Sequence, residues 1–137
     1  MKTLVIIKPD VVSSGKVGEI ISILERNKLK ITAIKMEKLT VEKAREFYKE
    51  HEGKEFFEKL VEFMTSGECI PIVIESNGNT VEIVREIIGN TDPSKAKPGT
   101  IRYMYGTNLP MNAIHASDSL ESAKREIGFF FSELPIR

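Results

Sequence analysis

Histidine is scarce in this chain: among 137 residues only His51 and His115 carry an imidazole. His115 stands in Asn112-Ala113-Ile114-His115-Ala116-Ser117-Asp118-Ser119, a polar stretch leading into an amphipathic segment. Histidine titrates near neutrality, so a ring placed there can act as a nucleophile or a base. Whatever holds one ring nitrogen decides which nitrogen is left to react. Glu126, on the segment that follows, can take that holding role if the chain folds back. The residues alone leave open the blander alternative of a structural or merely exposed loop histidine. His51, at a Lys/Glu-rich helix end, reads as solvated.

The other residues that could do chemistry are cations. No Walker motif is present, because Gly15-Lys16 is followed by Val17 and position 10 is Asp, and there is no GxGxxG. Phosphates, if bound, must therefore be held by side chains: Lys8 at a strand end, Arg85 on the polar side of a helix, Arg102, and Lys95 or Lys97. Arginine grips phosphate oxygens in a bidentate manner and lysine supplies a point charge. Most such cations are simply solvated, and Lys95 and Lys97 read that way. Lys8 is harder to dismiss, since it ends the apolar run Thr3–Ile7. Tyr48 and Phe56 lie on or beside apolar stripes, where an aromatic is either core or a platform for a flat ring.

These residues need a scaffold. The length fits a single domain spanning residues 1–137. Twenty Lys and Arg balance twenty Asp and Glu, so the composition writes in no general attraction to nucleic acid or an anionic membrane. The single Cys69 excludes an intramolecular disulfide, and with two histidines a zinc site of Cys and His ligands is not expected. No apolar run reaches a membrane span, and MKTLVIIKPD leaves no room for a signal peptide, so a soluble cytoplasmic protein is expected.

Strands are predicted at Thr3–Ile7, Ile31–Leu39 and Ile70–Glu75, with a last one at Ile101–Tyr105. Helical stripes start at Val17, Val41, Phe57, Val81 and Leu120, the last capped by Asp118 or Ser119. Two strand–helix–strand units predict an α+β fold: a ferredoxin-like split βαβ with a four-stranded antiparallel sheet and helices on one face. A helical pair at about 41–66 is inserted between the units. The stretch between Gly89 and Ser119 reads as a long loop of turn formers, and such loops are usually functional.

NAIHASDS, together with IIKPD and KPGTIR, resembles the nucleoside diphosphate kinase family over essentially the whole chain. The family signature N-x-x-H-G-S-D-S is met with one change, Ala116 for Gly. The resemblance implies that a nucleoside triphosphate, usually ATP, gives its γ-phosphate to His115, which passes it to a nucleoside diphosphate. It also implies that Lys8 and Tyr48 sit near the transferred group and Asn112 near the ribose. Arg85, Thr91 and Arg102 would hold the phosphates, Phe56 would stack on the base, and Ser117 and Glu126 would orient His115. Mg2+ would bridge the substrate phosphates with little protein ligation. The expected assembly is a homo-oligomer, a hexamer ahead of a tetramer, with Pro93 and Pro98 suited to a rigid contact and the SELPIR tail adding little surface. Neither membrane nor specific nucleic acid is expected as a partner. Three departures stand out: Ala116, strained if that position needs positive φ; Val11 after KPD; and Leu109-Pro110-Met111 in the loop. A reading from another class keeps the fold and the basic residues as a nucleotide-binding regulatory module without transferase activity.

Overall fold

A computed structural model gives the arrangement of residues 1–132, so all but the first residue of the SELPIR tail lies outside the described part. The elements run β1 (Lys2–Ile7), α1 (Pro9–Ser14), α2 (Val17–Arg26), β2 (Lys30–Ile34), α3 (Val41–Phe47) and α4 (Phe57–Met64). They continue with β3 (Ile70–Glu75), α5 (Thr80–Ile88), α6 (Ile101–Tyr105), β4 (Ile114–Ala116) and α7 (Leu120–Phe130). Single 3-10 turns lie at Lys49–His51 and Pro93–Lys95.

The four strands form one antiparallel sheet in the order β2-β3-β1-β4, the split βαβ arrangement expected from the element order. Its core strands are apolar without alternation: Thr3 to Ile7 and Ile70 to Ile74 are all buried. A strand buried on both sides needs cover on both faces. Val5, Ile7, Ile70, Ile72 and Ile74 pack against Ile20 and Leu24 of α2, Val84 and Ile88 of α5, and Ile101 of α6. Leu4, Ile6 and Val73 face the other way, against Ala44 and Phe47 of α3, Leu60 and Met64 of α4, and Phe130 of α7. The helices therefore do not lie on one face as expected. The inserted pair α3–α4 and the C-terminal α7 close the second face.

Two further expectations are corrected. Ile101–Tyr105 is a helix rather than the last strand: the Thr100 side chain accepts from the Tyr103 N–H as its N-cap, and Ile101 is buried against α5. The edge strand is instead the three-residue β4, in which His115 pairs with Ile6 and Ala116 with Val5. The Gly89–Ser119 stretch is accordingly no structureless loop, since it holds a 3-10 turn, α6 and β4. Gly89 allows the chain to turn there. It has φ of 94°, and a Cβ on it would come within 2.5 Å of the Thr100 hydroxyl. The predicted second strand is also shorter, with Glu37 forming only an isolated bridge to Cys69.

Candidate active site

Period-two alternation on β4 fixes the direction of His115. Ile114 and Ala116 point into the α2–α5 core, so the histidine between them faces α3 and α7. There the Phe47 ring meets it edge-on at 5.3 Å and Tyr48 at 6.0 Å between centroids. Glu126 of α7 lies 2.7 Å from His115 Nε2 through Oε1, and the same oxygen accepts the Ser117 hydroxyl at 2.8 Å. Glu126 is only 4% exposed. Burial alone would raise its carboxyl. The attraction of His115, hydrogen bonds from His115 and Ser117, and the Arg125 charge outweigh that and hold it below the ordinary range. An ionised carboxylate only accepts, so Nε2 carries the ring proton and Nδ1 keeps the free lone pair.

The turn that delivers His115 is strained. Ala113 has φ of 77°, and the Ile114 N–H donates to the Asn112 carbonyl at 3.0 Å, closing a γ-turn. Positive φ on a residue with a Cβ costs on the order of 1–3 kcal/mol and persists only where its surroundings enforce it. Ala116, by contrast, has ordinary strand geometry, so the methyl that replaces the family's glycine introduces no backbone strain.

A cleft of about 480 Å³ opens beside the β4 edge. Its lining brings together Lys8, Phe56, Arg85, Thr91, Arg102, Asn112 and His115. Lys8 leaves the end of β1, and its ammonium donates to the Pro110 carbonyl at 3.4 Å. Burial first, then repulsion from Arg102, pull it down to about 7 against the attraction of Asp10. Arg102 reaches from α6 to the carbonyls of Ile114 and Gly89, and burial followed by the Arg85 charge lowers it to about 10. Arg85 projects from α5 toward the Ala116 carbonyl. Three cations thus converge where, among the described residues, no carboxylate pairs them directly, an arrangement that suits an anion.

Asn112 donates to the Thr91 carbonyl at 3.0 Å, while its buried Oδ1 has no partner among the described residues. The Tyr48 hydroxyl is buried and unpartnered in the same way, and burial pushes its pKa up, so it remains a neutral O–H donor. Phe56, 48% exposed, lies on the rim with the His51 ring 5.4 Å away. Tyr48 is thus packed behind His115 with its hydroxyl unpartnered among the described residues, and Phe56 is exposed on the rim of the cleft.

Three lining residues escaped the sequence reading. His51 is not simply solvated, because the 3-10 turn after α3 swings it to the cleft, where Lys54 contacts its Nδ1 at 3.2 Å. Lys59 and Asp118 also line the cleft. A signal for His51 existed in its position five residues before Phe56. Asp118 is the carboxylate among the described lining residues, and no cluster of three His, Cys, Asp or Glu able to hold a metal occurs among the described residues. No helix among them is long and apolar enough to cross a membrane.

Comparison with known proteins gives the family and the fold. The family profile described as nucleoside diphosphate kinase matches residues 1–136. The chain is similar to the nucleoside diphosphate kinase of Staphylothermus marinus, 53% identical over 132 residues, covering 96% of this chain and 93% of the relative. It is similar in structure to the Aquifex aeolicus nucleoside diphosphate kinase, with a TM-score of 0.93 and 46% identity over 99% of this chain and 98% of that one. A halophilic nucleoside diphosphate kinase from Halobacterium salinarum, solved in complex with CDP, matches with a TM-score of 0.93 and 41% identity, covering all of this chain and 92% of that one.

Proposed function

The chain belongs to the nucleoside diphosphate kinase family, and from that premise we propose that His115 is its phosphoryl carrier. The reaction is a ping-pong transfer of the γ-phosphate of a nucleoside triphosphate to a nucleoside diphosphate through a phosphohistidine. One observation carries the assignment to His115: its Nε2 is held by the buried Glu126 carboxylate at 2.7 Å, on the wall of a cleft lined by Lys8, Arg85 and Arg102. A module that only bound nucleotide would have no use for that pairing.

In the first half-reaction the Nδ1 lone pair attacks the γ-phosphorus. The bond from phosphorus to the β–γ bridging oxygen breaks, and the nucleoside diphosphate leaves with the electron pair. The ring proton stays on Nε2, where Glu126 stabilises the positive charge that develops, and Ser117 steadies the same carboxylate oxygen. In the second half-reaction a terminal oxygen of the acceptor diphosphate attacks the phosphohistidine and Nδ1 recovers its lone pair. Phosphoryl transfer demands positioning and charge neutralisation above all. Arg85, Arg102 and the Thr91 hydroxyl would hold the phosphates, and Lys8 and the Tyr48 hydroxyl would face the transferred group. Asn112 Oδ1, an acceptor without a partner among the described residues, suits a ribose hydroxyl. Phe56 would stack on the base, and stacking discriminates little among bases.

Mg2+ fits this cleft as a companion of the substrate. Among the described residues Asp118 is the lining carboxylate that could hold it, and phosphate oxygens and water would supply the remaining ligands, as a small hard cation prefers. When bound it would supply charge neutralisation for the phosphates. We also infer that residues 1–137 act as one domain in the cytoplasm, where the buried, unpaired Cys69 stays reduced. Homo-oligomeric assembly is our reading, a hexamer ahead of a tetramer, and exposed apolar side chains suit burial against other copies of the chain. They include Tyr103 and Met104 of α6, Leu109 of the cleft lining, and Ile34 and Met36 at and just beyond the end of β2. Sedimentation decides the assembly. The transferase reading is tested with γ-labelled ATP: the protein acquires an acid-labile, base-stable label that added GDP discharges. His115→Ala abolishes it, and normal labelling of that variant overturns the proposal.

A further inference from the structure

We propose that Asp10 is a positioning residue for the phosphoryl-accepting histidine: it locks the strained turn at Ala113 into the shape that sets both Asn112 and His115 toward the cleft. The inference rests on the role assigned to His115 above. Ala113 is gripped at both of its backbone groups by the segment that follows β1. Its carbonyl accepts from the Lys8 N–H at 2.9 Å, and its N–H donates to Asp10 Oδ2 at 3.2 Å. Asp10 stands in the first turn of α1, where an acidic side chain commonly serves its own helix. Here it reaches across the fold instead, 103 residues along the chain.

That placement is unfavourable for Asp10 itself. Its Oδ1 is buried with no hydrogen-bond partner among the described residues, and burial pushes the carboxyl above the ordinary range while the Val11 and Ala113 N–H groups pull the other way. A half-satisfied carboxylate and a strained alanine in one contact point to a function for the pair beyond stability. What the contact fixes is the register of the next residues. Asn112 keeps its amide on the Thr91 carbonyl, and His115 keeps Nε2 on Glu126, only while the turn between them holds its shape. Asp10 touches neither a substrate position nor the reacting nitrogen; beside its attraction for the Lys8 ammonium, which the neutral Asp10→Asn variant removes, its action runs through the backbone.

The test compares Asp10→Ala, Asp10→Asn and the double variant Asp10→Ala/Ala113→Gly. It reads the single-turnover phosphorylation rate of His115 at saturating γ-labelled ATP and hydrogen exchange at the Ala113 amide. Losing the tie displaces the nucleophile, so Asp10→Ala is expected to slow phosphorylation by about tenfold or more and to expose the Ala113 amide. Asp10→Asn keeps an acceptor oxygen and is expected to stay within about threefold of wild type. Glycine adopts positive φ without strain, so the double variant is expected to regain about threefold or more of the lost rate, which a general loss of stability would not allow. The inference is overturned if Asp10→Ala phosphorylates within about twofold of wild type, or if Asp10→Asn is as slow as Asp10→Ala. Should Asp10→Ala not fold, Asp10→Asn decides: a protected amide with near-wild-type rate supports the inference, and an exposed amide at the same rate overturns it. Failure of the wild-type protein to label at all would instead remove the His115 reading.

Discussion

Replacing Glu126 with glutamine keeps the shape of the side chain and an oxygen that can accept from His115, but removes the charge. The structure sets the size of the effect. The carboxylate oxygen lies 2.7 Å from Nε2 and also receives the Ser117 hydroxyl at 2.8 Å, in a site where Glu126 is 4% exposed. A hydrogen bond to a charged group is worth about 1.5–3 kcal/mol and a neutral one about 0.5–1.5 kcal/mol, so the variant gives up roughly 1–2 kcal/mol. Because the imidazole becomes positive only on the way to the transition state, that loss weighs more there than in the free protein, and each ~1.4 kcal/mol is tenfold in rate. Glu126→Gln should therefore slow phosphorylation of His115 by about 10-fold, with nucleotide affinity nearly unchanged. The chain has no tryptophan to report the step optically, so rapid-quench single turnover with γ-labelled ATP is the assay. A stability measurement checks the same electrostatics. The Glu126 carboxyl is depressed in the folded protein, so its contribution is present above the unfolded carboxyl range and lost as pH falls through the folded value. That acid-side loss should be smaller in the variant. A wild-type rate, or a loss confined to KM, would refute the reasoning.

Three other outcomes follow from the same geometry. Lys8 sits at about 7 in the free protein, and incoming phosphates raise it, so triphosphate binding at about pH 8 should take up protons; calorimetry in buffers of different ionisation enthalpy reads this, and a buffer-independent enthalpy contradicts it. Gly89→Ala puts a Cβ within 2.5 Å of Thr100 at positive φ and disturbs the carbonyl that receives Arg102, so denaturant unfolding should show a loss of about 1–3 kcal/mol together with weaker nucleotide binding. Phe56→Ala removes the exposed rim ring and should raise KM by a similar factor for purine and pyrimidine acceptors, about 1–3 kcal/mol in binding; a loss confined to one base would assign base recognition to another residue.

How legible this molecule was depended on the length of each signal. Stripes such as Val81, Val84 and Ile88 repeat over enough turns to declare a helix, and they appear in α5 as read. IRYMY is five residues of mixed β-branched and aromatic type, too few to separate strand from helix. The Thr100 cap and the burial of Ile101 against α5 decide it. β4 is three residues long, and nothing local marks it; only pairing with Ile6 makes a strand of it and turns His115 toward Glu126. The cover on both faces was written in the unbroken apolar runs TLVII and IPIVI, which alternation-based reading of a one-faced sheet overlooks. Among the cleft residues, types and spacing pointed to His115, Lys8, Arg85 and Arg102, since cations and imidazoles announce their chemistry. His51 was hidden because its approach to the cleft depends on a single 3-10 turn, and Asp10 because its partner Ala113 lies at the far end of the chain.

Nδ1 of His115 is proposed to accept the phosphoryl group because Glu126 holds the proton on Nε2. The most direct measurement is nuclear magnetic resonance of the protein labelled with 15N at histidine and phosphorylated by ATP, which identifies both the residue and the ring nitrogen bonded to phosphorus. A single phosphorus–nitrogen coupling, to Nδ1 of His115, is expected, and it disappears when GDP is added. Coupling to Nε2, or to His51, would contradict it.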